Sequence, residues 1–434
     1  MLYTKMPDLK ETVEELVEYT RLMNEYGARG VDEIINEVKQ NLCASISKMK
    51  ELPIDQELSM KEPNELSSIR KLRAEGPRKI WSKLDSSIYL EKLEGAFLAR
   101  SAGCTLGAIV ENWSVEAMEQ WADYIGDAFP PVDYWSSISN PNIRRYNRSQ
   151  CIEYTRDKIN GIPVDDDIMY TILGLLIVEE HGLDFSTEDV AKTWKKYMQF
   201  AYTAEAVALK NLEKGIPASQ TADIDNPYCQ LIGADIRSDP WAYIAPGWPE
   251  KAAELAYQDA YLSHRRNGIY GEMFFSATQS AAFTTDNSID AIRIGMTEIP
   301  MECSLYKDIE WALTVGKDIK NYKDARLAVD ERFKGMNHVH TNNNACLTIF
   351  GLMIGGNDVT KVISEIVAMG MDNDCTAATA GSIVGAIVGK KGIPLHWYKN
   401  FNNTIYSFLK NIDEFEIDDI LKRFCIQAKN IFLK

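Results

Sequence analysis

Residues 89–107 read YLEKLEGAFLARSAGCTLG, with Gly95, Ala99, Gly103 and Gly107 at every fourth position. Residues 372–389 read DNDCTAATAGSIVGAIVG, with Ala377, Gly381, Gly385 and Gly389 in the same spacing. A four-residue interval puts each set on one face of a helix. Small side chains along a face let another backbone approach closely, as they do in membrane helix pairs. Both runs are shorter than the roughly 20 apolar residues a bilayer requires, and both are flanked by charge. They predict two buried helices packed near the centre of an all-α domain.

Between them, Ile168 to Val178 is hydrophobic nearly all round, the pattern of a buried helix. It stops at His181-Gly182, an ordinary C-terminal signal. Asp85-Ser86-Ser87 offers N-caps to the first small-residue helix. Ser186 and Asp189 have capping-box spacing for a helix expected to reach about Leu212. Residues 249–264 and 344–352 also read as helical. Upstream, apolar residues at helical spacing run over 8–26 and stop at Gly27. A second helix is expected from about Val31 to Met49. Residues 53–80 are polar, contain three prolines and read as a linker or extended arm. This divides the chain into a helical extension and linker, 1–84, and a single large multi-helix domain, 85–434. Alternating strand patterns are scarce, and no repeat of 20–50 residues stands out.

Lys and Arg number 47 against 63 Asp and Glu, a formal charge of −16 in 434 residues. That surplus excludes a nucleic-acid partner, which needs clustered cations, and docking on anionic membranes. The 45% hydrophobic and 25% charged content excludes global disorder. Eight cysteines lie scattered without a C-x-x-C pair, as expected of reduced thiols in a cytoplasmic protein. Met1 to Lys5, followed by acids, has no apolar signal core. Five histidines make a His-rich zinc enzyme a poor fit. Phosphate-loop, dinucleotide, nucleophile-elbow and H-E-x-x-H motifs are absent from the sequence.

Asp165-Asp166-Asp167 heads the buried apolar helix, and Asp372-Asn373-Asp374-Cys375-Thr376 heads the second small-residue helix. A helix N-terminus tolerates anions, and single acids there serve as caps. Several adjacent carboxylates at the heads of buried helices repel one another, and a hard divalent cation would relieve that. Glu111 follows the first small-residue helix and comes near Asp374 if the two helices pack together. The run His338-Val339-His340-Thr341-Asn342-Asn343-Asn344 reads either as a cleft lining, with Asn342 and Asn343 binding ligand oxygens, or as a capped loop.

These segments together resemble the ADP-ribosylglycohydrolase family over roughly residues 88–400. Gly95 to Ala108 with Glu111 is similar to the opening G-A-L-L-G-x-A-x-G-D-A-L-G-A-x-x-E. Val164-Asp165-Asp166-Asp167-Ile168-Met169 is similar to T-D-D-T-x-M, Asp259 to His264 to D-A-x-x-[ST]-H, and Asp372 to Gly381 to D-T-D-T-x-A-x-x-A-G. Ile393-Pro394 and Trp397 resemble the usual ending.

The resemblance implies an all-helical hydrolase that removes ADP-ribose from an ADP-ribosylated protein, or cleaves a small ADP-ribose or riboside conjugate. It implies two Mg²⁺ ions, with Mn²⁺ an alternative. Metal ligands are then expected among Asp165, Asp166, Asp167, Asp372, Asp374 and Cys375, and catalytic roles for Glu111, Asp166 and Asp374. His264 would lie along the substrate cleft, with Gly268 and Gly271 in the turn after it.

Departures from the pattern are specific. Val164 stands at the threonine ligand, so two registers fit, Asp165–Asp166 or, shifted by one, Asp166–Asp167. Cys375 replaces the final threonine and is a softer donor. Cys104 replaces the opening motif's aspartate. The family's glycine-rich diphosphate loop is not recognisable, and the corresponding stretch, Gly233 to Trp241, carries Asp235 and Asp239 with one arginine, Arg237. Two other readings follow from these departures. One is a metal-independent glycoside hydrolase with two carboxylates. The other is a non-catalytic binder of ADP-ribose or a nucleotide.

Overall fold

The computed structural model describes Tyr3 and residues 9–433. Apart from Tyr3, the reading of residues 1–8 as lacking a signal core lies outside the described residues. Among those described there are nineteen α-helices and two small antiparallel hairpins, so the fold is all-α as expected. No described helix is long and apolar enough to cross a membrane.

The chain divides into two compact units, residues 1–60 and 61–434. In the first, helices Leu9–Glu25 and Val31–Lys50 are joined through Gly27 and Gly30, both at positive φ, and neither helix has a buried residue. Composition places the boundary at 84/85, but ion pairs and hydrogen bonds tie residues 62–78 to the larger unit. Glu62 pairs with Arg266, Arg73 with Glu250 and Glu298, and Arg78 with Glu298.

At the centre of the larger unit, helix Ser86–Gly107 packs along helix Asn373–Val388. The small-residue stripes form the contact. A Cβ built on Gly103 would overlap the Ala377 carbonyl, one on Gly385 the Gly95 carbonyl, and one on Gly107 the backbone of Asp374. The last contact joins packing to chemistry, because it fixes where the head of the second helix sits.

Helix Asp166–His181 is buried from Asp167 to Val178. Arg100, from the first central helix, anchors it. Its Nε donates to Thr171 Oγ1 (3.0 Å) and its Nη2 to the carbonyls of Asp167 and Ile236 (both 2.8 Å). Its Nη1 pairs with Asp239 Oδ2 (2.7 Å).

The single helix expected from Ser186 to about Leu212 is two, Thr187–Tyr197 and Thr203–Glu213, with the capping box at Ser186 in place. The break carries no glycine or proline. Tertiary packing makes it: Phe200 and Tyr202 turn onto Tyr146, and Phe200 also meets Phe408. It also brings Tyr202, Thr203 and Glu205 to the cavity described next.

Helix Thr341–Gly355 starts with a histidine cap, Asn342 N donating to His340 Nδ1 (3.1 Å). That acceptor must be unprotonated, and burial pulls the His340 pKa down to about 4. The unfolded histidine takes up a proton near pH 6.5, so this stabilisation is complete above that pH and is lost as pH falls towards 4. Up to roughly 3 kcal/mol is at stake at the acid end. His340→Asn keeps a capping side chain without the titration. Its melting temperature, relative to wild type, is expected to rise as pH falls from 7 to 4.5.

Candidate active site

The heads of two buried helices and the segment after a third converge on a cavity of about 510 Å³. Glu111, Asp166, Asp372, Asp374 and Cys375 stand on its wall. Tyr170, Tyr202, Leu231, Ile232, Ile236 and Val339 give it apolar and aromatic surface. Arg144 and Arg145 are the only basic side chains among its described lining residues.

Local backbone geometry aims these groups. Asn112 and Met371 both have left-handed φ (62° and 61°), and Asn112 N donates to the Met371 carbonyl (3.0 Å). Such conformations cost about 1–3 kcal/mol each and persist only where surroundings enforce them. This one clamps Glu111 beside Asp372. Asp165 N-caps its helix, accepting from Asp167 N (3.1 Å).

Arg145 comes from a hairpin in which Arg145 pairs with Ser149, turned by Tyr146 and Asn147 at φ 51° and 56°. Its Nη1 donates to the Ala108 carbonyl (2.6 Å) and Glu111 Oε2 (3.0 Å). Its Nη2 donates to Asp165 Oδ2 (2.9 Å) and Asp374 Oδ2 (3.2 Å).

Like charges and burial dominate the electrostatics. Burial, then Asp165, raises the Asp166 carboxyl well above its usual range, against the Tyr146 hydroxyl and Arg145. Asp374 is raised by burial, then by Glu111 and Asp372. Asp372 is pushed up to about 6 by burial and Glu111. Carboxyls raised by burial and by neighbouring acids suit proton transfer.

Among the described residues, three overlapping sets place candidate ligand atoms within 4.8 Å of one another: Cys104, Asp165 and Asp167; Asp167, Asp374 and Cys375; and Glu111, Asp372 and Asp374. Only the third is all oxygen, lies wholly on the cavity wall and suits a hard divalent cation. One of its oxygens, Asp374 Oδ1, is buried without a hydrogen-bond partner. The sulfur-containing sets suit it less. The Cys375 thiol donates to Asp167 Oδ2 (3.3 Å), and burial raises its pKa well above the ordinary thiol range.

The sequence candidates separate in space. Glu111, Asp166, Asp372, Asp374 and Cys375 share the cavity wall, with Asp165 behind it holding Arg145. Asp167 points instead to Arg100 (3.5 Å) and Cys375, off the wall. His264 is fully buried and off the cavity wall, with Nδ1 on Ser263 Oγ (2.8 Å) and Nε2 4.0 Å from Glu205, which lines the cavity. Gly268 packs on the Cys229 carbonyl and the His264 ring, and Gly271 on Asp235 and Thr341. Asn342 donates to Asp308 Oδ2 (2.7 Å) and Asn343 to the Asn337 carbonyl (2.9 Å). These four lie off the cavity wall, and the two asparagines fasten a loop and helix head.

In the 233–241 stretch, Gly233 lines the cavity over the Glu205 carboxylate. Arg237 is spent on the buried carboxylates of Glu205, Asp259 and Glu272, the last also accepting from Trp241 Nε1 (2.7 Å). This stretch presents no free cation to the cavity. Sequence reasoning did not single out Arg145, Tyr146 or Glu205. A pair of arginines in a loop of an acidic chain was the one available signal.

A profile of the ADP-ribosylglycohydrolase family matches residues 85–426. No curated protein matches the chain. Among solved structures, one described as an ADP-ribosylglycohydrolase-related protein complex is similar at 16% identity and a TM-score of 0.47, covering 80% of this chain and 99% of that one. The profile spans both central helices, both acidic clusters and most of the final helix, and on that match the chain belongs to the ADP-ribosylglycohydrolase family of hydrolases.

Proposed function

We propose that the cavity hydrolyses the glycosidic bond at the anomeric carbon of a ribosyl group, with an ADP-ribosylated protein or a small ADP-ribose conjugate as substrate. Family membership supports the reaction class. The observation that carries the reading is the convergence of Glu111, Asp166, Asp372 and Asp374 on a cavity that tyrosines and aliphatics also line. The tyrosines and aliphatics form the half that can pack a ribose or base. Arg144 and Arg145 are the groups available to an anionic portion.

Glu111, Asp372 and Asp374 would hold a divalent cation, Mg²⁺ by the hardness of the donors. When bound, such an ion orients hydroxyls and water and offsets developing charge. The chain's own residues do the rest. Asp166, whose carboxyl is raised well above its usual range by burial and then by Asp165, is placed to deliver a proton to the departing atom. Tyr146 beside it fixes its orientation. Glu111, partly exposed and held by Arg145 and Asn112, is placed to accept a proton from water.

A second reading has a specific observation behind it. Arg145 already offsets charge among Glu111, Asp165 and Asp374, so two carboxylates could act with no bound ion. One experiment separates the readings. ADP-ribosylated peptides, ADP-ribose conjugates and simple ribosides are incubated with Mg²⁺ or with EDTA, and released product is measured by chromatography. Cation-assisted hydrolysis is expected to fall at least tenfold in EDTA. Undiminished release in EDTA selects the metal-independent reading, and no release from any substrate leaves a non-catalytic binder.

A further inference from the structure

We infer that Arg145 is the resident cation of this site. Its guanidinium fills the position bounded by Glu111, Asp165 and Asp374, so a single divalent ion binds, on the Glu111–Asp372–Asp374 side. The inference builds on the cation-assisted reading above, but its test does not require turnover.

The geometry is that of a built-in position. Two guanidinium nitrogens meet four acceptors at 2.6–3.2 Å. Those acceptors come from three places in the fold: the segment after the first central helix, the Asp165 cap and the head of the second central helix. A planar guanidinium presents donors in a fixed fork that matches such an array, as a lysine ammonium does not. The arm carrying it is pinned. Arg145 pairs with Ser149 across the hairpin, and Cys151 N donates to the Ile143 carbonyl (2.7 Å). Tyr146, next in the chain, stacks on Phe408 (4.9 Å between centroids).

The surroundings on that side are poor for a metal. Asp165 Oδ1 is committed to the Asp167 amide. The neighbouring Val164 is apolar and fully buried, and Cys104, buried beside Asp165, offers a soft sulfur donor. On the other side, Asp374 Oδ1 remains a buried oxygen without a partner. Asp374 therefore divides its carboxylate, with Oδ2 to Arg145 and Oδ1 free for an ion.

The test counts Mn²⁺ bound per chain, after gel filtration, in wild type, Arg145→Met and Arg145→Lys. One ion is expected in wild type, two in Arg145→Met and one in Arg145→Lys, which keeps the charge. The second ion in Arg145→Met is expected to bind at least about tenfold tighter than any further ion in wild type. Two ions in wild type, or no gain in Arg145→Met, overturns the inference. No ion in wild type overturns the inference, whatever Arg145→Met binds, and counts against the cation-assisted reading as well, whereas two ions in wild type overturn the inference alone. Anomalous scattering from wild-type crystals soaked in Mn²⁺ gives an answer that does not depend on the variants folding. A peak on the Asp372 side supports the inference, and a peak among Glu111, Asp165 and Asp374 overturns it.

Discussion

Asp374→Asn is expected to lower turnover by on the order of 10³-fold while leaving the protein as stable as wild type, or more so, in EDTA. The activity loss follows from position. Asp374 is the carboxylate shared between Arg145 and the all-oxygen set with Glu111 and Asp372, and its Oδ1 is a buried carboxylate oxygen without a hydrogen-bond partner. Asparagine keeps the shape but halves the acceptor oxygens and removes the charge. The stability gain follows from linkage. Burial, then Glu111 and Asp372, raises the carboxyl pKa in the folded chain. A carboxyl with a raised folded pKa favours folding below its unfolded pKa, about 3.9, and that advantage is lost as pH rises through the folded value. At pH 7.5 without metal, the wild-type carboxylate therefore opposes folding, and asparagine relieves it. Added Mg²⁺ is expected to raise the melting temperature of wild type and not that of the variant. Activity assays beside calorimetry in EDTA and Mg²⁺ check both halves. A variant that loses activity and also unfolds would show that Asp374 acts as a structural cap.

Gly103→Val carries the largest expected loss of stability. The substituted Cβ would overlap the Ala377 carbonyl, a backbone atom that cannot rotate away. The two central helices would have to part along their whole contact, and the Asp374 segment, packed on Gly107 one turn further on, would move with them. Forcing methyl groups into a packed core costs about 1–3 kcal/mol when side chains can yield. Here backbone must yield, and on the order of 5 kcal/mol or failure to fold is expected. Gly126→Ala is the contrasting case. Gly126 closes helix Val115–Ile125 at φ 77° with open space around it, so only the left-handed backbone is penalised, by about 1 kcal/mol. Urea melts of both variants test the comparison. Similar losses for the two would mean that the glycine stripe is not what fixes the central packing.

The central packing was legible because close backbone approach admits few residue types. Gly95, Gly103, Gly381 and Gly385 are small because each faces a carbonyl of the partner helix. The acidic heads were legible for a related reason, since carboxylates leading buried helices call for some compensating group. What sequence did not show is which group compensates. Arg100 answers Asp167 from the centre of an apolar helix, and Arg145 answers Asp165 and Asp374 from a hairpin of two-residue strands. No periodicity marks either one. The break before Thr203 was equally silent, because aromatic packing rather than a local breaker creates it. Polar character also misleads in places. His264, Asn342 and Asn343 look like cleft residues in one dimension, but they are buried and bonded to neighbouring protein groups.

The most direct measurement is release of the free ribosyl product from the panel of ADP-ribosylated peptides, ADP-ribose conjugates and ribosides, followed in time with wild type and Asp374→Asn side by side. Release proportional to wild-type protein concentration from at least one substrate, and near background for Asp374→Asn, is the expected result. Release by Asp374→Asn at the wild-type rate, or none from any substrate by folded wild-type protein with Mg²⁺, would contradict the assignment of this cavity as a ribosyl hydrolase.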